Sequence, residues 1–162
     1  MWGPINIAEI LVDYFRHMRK DFRAIPLFIV LVCIPSAIAY IFYLTVTPGA
    51  EFYKGMITIS SILIPLLLNL LMIVYYSVER TNKTEETKIE YLEHINSTIS
   101  MTIFLSILLL FIAILFSGKD YTPQELQIII FYLIGFLITN ITIILTRIYR
   151  LIRYEINDIK NN

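Results

Sequence analysis

Two histidines, one cysteine, a run of arginines and two asparagines are the residues of this chain whose chemistry invites a role. His17 and His94 lie in different segments, and neither an HExxH pattern nor a paired-cysteine set surrounds them, so no metal ligand is read from either. "EHIN" sets Glu93 beside His94, but consecutive residues on a helix do not face one another. Cys33 has no second cysteine to pair with and is expected as a small buried residue. "TRIYRLIR", residues 146–153, repeats arginine every third position, as the sensing helix of a voltage sensor does. Gating arginines must lie within the field and pair with acids at depth. Here they begin where the apolar run ends, and no such acids exist. With only 5 glycines in the chain, no phosphate-cradling loop is present. No catalytic residue and no cofactor is expected, and the chain is not read as an enzyme.

The asparagines and prolines lie deeper. "IPLLLNLLMIVYY", residues 64–76, holds Asn69 one turn after Pro65, and Asn140 stands in a comparable run near the C-terminal end. Pro35 and Pro65 fall near the middles of their runs and remove the helical bonds to the carbonyls of Leu31 and Ser61. Thr58, Ser61, Pro65, Asn69, Met72 and Tyr76 share one helical face. Cys33, Ser36, Ala37 and Tyr40 share another, and Thr102, Ser106, Ala113 and Ser117 a third. Small and hydroxyl residues at this spacing let membrane helices approach closely, so each stripe is expected to face inward. The last run has two such faces: Gly135, Thr139, Thr142 and Thr146 on one, and Asn140 with Phe136, Ile143 and Arg147 on the other. Asn69 and Asn140 lie at matching depth. They are expected to bond to each other, or each across a subunit boundary, fixing register or lining a pore with Ser61 and Thr139.

These residues are positioned by four apolar runs, 25–46, 52–76, 99–116 and 126–146, in a chain that is 57% hydrophobic and 16% charged. A bilayer core about 30 Å thick needs about 20 helical residues to cross it, and at this length only a helix satisfies its own backbone in lipid. The expectation is an all-α integral membrane protein, a single domain of four transmembrane helices. "SAIA", residues 36–39, resembles a signal-peptide cleavage site, but the apolar run continues past it and the first span is read as retained. Eleven of the 13 basic residues fall before the first run, between the second and third, or after the fourth. Only Lys54 and Lys119 fall on the other side. The positive-inside rule then places both termini in the cytoplasm.

Ahead of the first span, residues 5–23 read as an amphipathic helix with Asn6 as cap. Its apolar face carries Ile7, Ile10, Leu11, Tyr14, Phe15, Met18 and Phe22, and its polar face carries Glu9, Asp13, Arg16, Arg19 and Lys20, with Arg23 following. Such a helix lies in the headgroup boundary or against a partner, and the membrane surface is the expected place. Residues 78–98 form a cytoplasmic hairpin, with Thr84 a cap for the third long helix. "TPQE", residues 122–125, starts the fourth with Thr122 as cap and Pro123 at its first position. That helix is expected to run to about residue 159, leaving 147–162 as a cytoplasmic tail. Arg147, Arg150 and Arg153 join Arg16, Arg19, Lys20 and Arg23 as anchors to lipid headgroups.

Net charge is zero, and no direct nucleic-acid contact is expected. The expected partners are membrane lipids, further copies of the chain, and a cytoplasmic protein met through residues 84–97 or the termini. The four spans and the basic loop after the second, "VERTNKTEETKIEYLEHINS", resemble small inner-membrane proteins of bacterial phage-defence and exclusion systems, of the Rex B and Kiwa membrane-component kind. That resemblance is one of layout and assigns no residue. It implies sensing infection at a bacterial inner membrane or depolarising it. With the second polar face of the last run, which is expected to meet another copy, the expectation is an oligomeric pore-forming or membrane-perturbing effector or sensor. A non-catalytic anchor that recruits a cytoplasmic partner is the alternative.

Overall fold

A computed structural model of the chain describes residues 7–21, 24–80, 86–119 and 122–161. It contains a shorter N-terminal helix, α1 (Ile7–Asp21), and four long ones. The first long helix, α2, runs from Ala24 through Thr45 and includes a π-helical turn at Ile29–Cys33. It is followed by α3 (Ala50–Arg80), α4 (Glu86–Phe116) and α5 (Gln124–Asn161). Each long helix contains a stretch able to cross a bilayer: Ile25–Thr45, Ala50–Val78, Lys88–Phe116 and Gln124–Arg153. The chain is a multi-pass membrane protein. The 38 residues of α5 rise about 57 Å at 1.5 Å each, well beyond a hydrocarbon core. The expected caps Asn6 and Thr84, and Arg23, lie outside the described residues.

The four spans pack in the order α3, α4, α5, α2, and α1 lies on α4 beside the start of α2. The inner pair therefore has neighbours on both flanks, while α2 and α3 each cover one face only. On α4, Met101, Leu105, Leu109 and Ala113 are buried at spacing four, a ridge of the kind that fits the groove of a neighbouring helix. Thr98, Thr102 and Ser106 are buried on the adjacent row. On α3 the covered residues are Tyr53, Met56, Ser60, Leu67 and Val74.

Two of the expected inward stripes face outward instead. On α3, Thr58, Ser61, Pro65, Asn69, Met72 and Tyr76 are exposed, and on α2 so are Cys33, Ser36, Ala37 and Tyr40. The reason is local. The Thr58 hydroxyl donates to the Lys54 carbonyl at 3.0 Å and that of Ser61 to the Ile57 carbonyl at 2.7 Å. A hydroxyl turned back on its own helix presents little polarity to lipid, so it does not dictate which face is covered. On α4 the expected stripe does face inward, with Thr102, Ser106 and Ala113 all buried.

Pro35 shapes the contact between α2 and α5. Its ring denies the Leu31 carbonyl a helical donor, and that carbonyl accepts the Tyr132 hydroxyl at 3.0 Å. Just before it the backbone widens, with the Ile34 N–H bonded to the Ile29 carbonyl. Gly135 sits directly against Pro35: a Cβ there would lie 2.5 Å from the Pro35 carbonyl oxygen. At the end far from the termini, Phe131 stacks on Phe42 at 6.0 Å and meets Phe52 edge-on at 5.9 Å. The expected cap Thr122 does something else there. Its hydroxyl pairs with that of buried Tyr53 at 2.7 Å, while the Pro123 carbonyl receives the first helical N–H groups, of Leu126 and Gln127.

Candidate polar junction between α1, α4 and α5

The apolar face of α1 is covered by its own chain rather than lying wholly at a membrane surface. Tyr14 and Met18 are fully buried, with Tyr14 edge-on to Phe136 of α5 at 6.3 Å. Ile7, Val12 and Phe15 remain exposed, so α1 is apolar on an inner and an outer side.

Beneath Tyr14 lies a cluster of polar side chains that residue spacing alone did not assemble. Arg147, 5% exposed, turns its guanidinium inward. Nη1 donates to the His94 carbonyl at 2.8 Å and to the Thr98 hydroxyl, and Nη2 lies 3.6 Å from the Met18 sulfur. The Tyr91 hydroxyl donates to the Arg147 carbonyl at 3.0 Å. One arginine thus meets α1 and α4 from α5, where a headgroup anchor was expected. The legible sign was its place on the Asn140 face, seven residues on.

His17 and His94, set aside for lying in different segments, have ring centroids 4.5 Å apart. Lys20 of α1 bonds Glu90 of α4 at 2.8 Å, and that carboxylate stands 4.0 Å from His94 Nε2. Desolvation lowers the His17 pKa below its ordinary value, and the neighbouring His94 adds to the effect. Burial pushes the Tyr14 phenol well up, against the smaller opposing pull of Asn140, so its hydroxyl stays protonated. Asn140 is fully buried, with Nδ2 donating to the Phe136 carbonyl at 2.8 Å. Its Oδ1 and the Tyr14 hydroxyl are both buried, with the Asn140 side chain facing the phenol.

The remaining candidates are dispersed. Asn69 is exposed on α3 and does not meet Asn140, since α4 stands between α3 and α5. Thr139 is buried, with its hydroxyl on the Gly135 carbonyl at 2.8 Å, and Ser61 is exposed. Arg16 pairs with Asp13 at 2.9 Å on the exposed side of α1. Arg19, Arg150 and Arg153 are exposed. Among the described residues, no three His, Cys, Asp or Glu side chains gather as a metal site. Arg147 and Tyr91 bond α5 to α4, and Lys20 with Glu90 ties α1 to α4, so the junction holds the three helices together. Compared with known proteins, the chain matches no family model, no curated relative and no solved structure.

Proposed function

We propose that this protein is a non-catalytic membrane-perturbing effector or sensor that works as an assembly of several copies. Asn69 carries the reading. Its carboxamide is exposed on α3 beside the exposed Leu66, Leu68, Met72 and Ile73, and it makes no hydrogen bond among the described residues. Unlike a hydroxyl, an amide cannot satisfy all its donors and acceptors on its own helix. Left in hydrocarbon without a partner it costs several kcal/mol. A second copy meeting this face would supply the missing partners, in a contact of about 0.6–2 kcal/mol that sets register.

The interior of one protomer is filled by two clusters of apolar side chains, so a path for ions would form between copies. The charge distribution supports a cytoplasmic setting for the basic end, and the layout shared with phage-defence proteins supports a bacterial inner membrane. A recruiting role is favoured by one feature, the continuation of α5 through Asn161 past its span at Arg153.

The experiment expresses the chain alone in bacteria, follows membrane potential with a dye, and weighs the protein by native mass spectrometry from mild detergent. The wild type is expected to depolarise and to appear as an oligomer, and Asn69→Leu to lose both properties. An intact potential with the wild type overturns the effector reading; a wild-type monomer overturns the assembly.

A further inference from the structure

Between α2 and α5, on the side of Gly135 that leads to the termini, lies a cavity of about 450 Å³, within the range of small-molecule sites. We propose that it holds a phospholipid with a net-negative headgroup, one acyl chain lying in the groove and the phosphate at Arg150. The site is independent of whether copies assemble.

The backbone explains the groove. Pro35 and Gly135 bring the two helices into contact at mid-depth. The half of α2 beyond Pro35 packs along α5, whereas Ala24–Phe28 meets α1 instead. The helices therefore part toward the basic end. Val30, Ile34 and Ile38 form one wall, and Ile138 and Ile143 stand on the other.

The threonines of α5 finish an apolar floor. Thr139, Thr142 and Thr146 all line the cavity, yet each hydroxyl is donated to its own helix. The acceptors are the carbonyls of Gly135 at 2.8 Å, Ile138 at 3.0 Å and Thr142 at 2.8 Å. With the hydroxyls engaged in this way, the floor suits a hydrocarbon chain.

Charge closes one end only. Arg147 and Arg150 line the cavity at its basic end. The guanidinium of Arg147 is turned to His94 and Thr98, so its stem lines the groove, while Arg150 is exposed. From Ile138 to Arg150 is about 18 Å along the helix, against about 15 Å for half a hydrocarbon core. A chain end at Ile138 thus places a phosphate at the level of Arg150, where the charge-assisted bond forms. The charged lining is Arg147 and Arg150, with Tyr91 nearby and no carboxylate among the described residues, so the charge there favours a net-negative headgroup over a zwitterionic one.

The test offers detergent-solubilised protein an equimolar mixture of phosphatidylglycerol and phosphatidylcholine and reads retained lipid by native mass spectrometry. The wild type is expected to keep one phosphatidylglycerol per protomer, with about ten-fold preference from the added ionic contact. Arg150→Glu, at an exposed position, removes the preference. Thr142→Trp, which fills the groove, removes retention, and Arg16→Glu on the exposed side of α1 changes neither. Circular dichroism and gel filtration confirm that each variant is folded. Equal retention of the two lipids by the wild type overturns the proposal. So does retention unaffected by Arg150→Glu or by Thr142→Trp, or an equal loss with Arg16→Glu, which would mark diffuse attraction to basic surface.

Discussion

The imidazole rings of His17 and His94 stand 4.5 Å apart across the contact between α1 and α4, and two like charges so placed repel. Asp13 and Lys20 flank His17 on α1, Glu90 and Glu93 face it from α4, and Arg147 approaches His94 from α5.

Acid is therefore expected to loosen α1. His17 has a lowered pKa when docked, so the undocked form binds more protons and docking weakens as pH falls. The contribution is fully present above the ordinary histidine value and is lost as pH falls through the lowered one. Spin labels on cysteines placed at Arg19 and Tyr149, both exposed, with Cys33 replaced by serine, should separate between neutral pH and about pH 5. In His17→Gln the distance should stay constant across that range.

Removing the buried guanidinium should weaken the contact between α5 and α4 at any pH. Arg147→Lys keeps a charge but not the planar fork that reaches His94 and Thr98 together. Hydrogen bonds to a charged group contribute about 1.5–3 kcal/mol each. A loss of that order is expected in urea unfolding from mild detergent.

Gly135→Ala should destabilise, although alanine favours helix. Its Cβ would stand 2.5 Å from a backbone oxygen of Pro35, and backbone gives way only if α2 shifts, at about 1–3 kcal/mol. Gly55→Ala, with nothing within 4 Å of the added carbon, should leave the thermal midpoint unchanged or slightly raised. Tyr132→Phe leaves the Leu31 carbonyl without its donor and should cost about 0.6–2 kcal/mol, read as a lower midpoint.

The buried hydroxyl pair at the far end offers a cycle. Tyr53→Phe or Thr122→Val alone strands the other hydroxyl of the 2.7 Å bond, at about 1–3 kcal/mol. The double variant, which removes both groups, should recover most of that loss in thermal unfolding.

One long helix per apolar run was legible, but its extent was not: the third span, expected at 99–116, is Lys88–Phe116, and the fourth, expected at 126–146, is Gln124–Arg153. That Pro35 offers the Leu31 carbonyl no N–H follows from its ring alone; that Tyr132 meets it is a contact between residues far apart in sequence. The junction was not legible for the same reason. His17, His94 and Arg147 come from three helices, and no spacing along one of them brings the others near.

By itself the sequence determined an all-α membrane protein with four spans, since a bilayer admits runs of this length only as helices and no charge but Lys54, near one end of the second run, falls within them. The tertiary structure decided which face of each helix is covered. Serine and threonine hydroxyls bonded to their own backbone look alike toward lipid and protein, so Ser61 faces out and Ser106 in. It also decided that Asn140 is buried beside Tyr14 while Asn69 is left exposed. An amide's cost depends on what stands opposite it, and the order of the helices put α4 between the two.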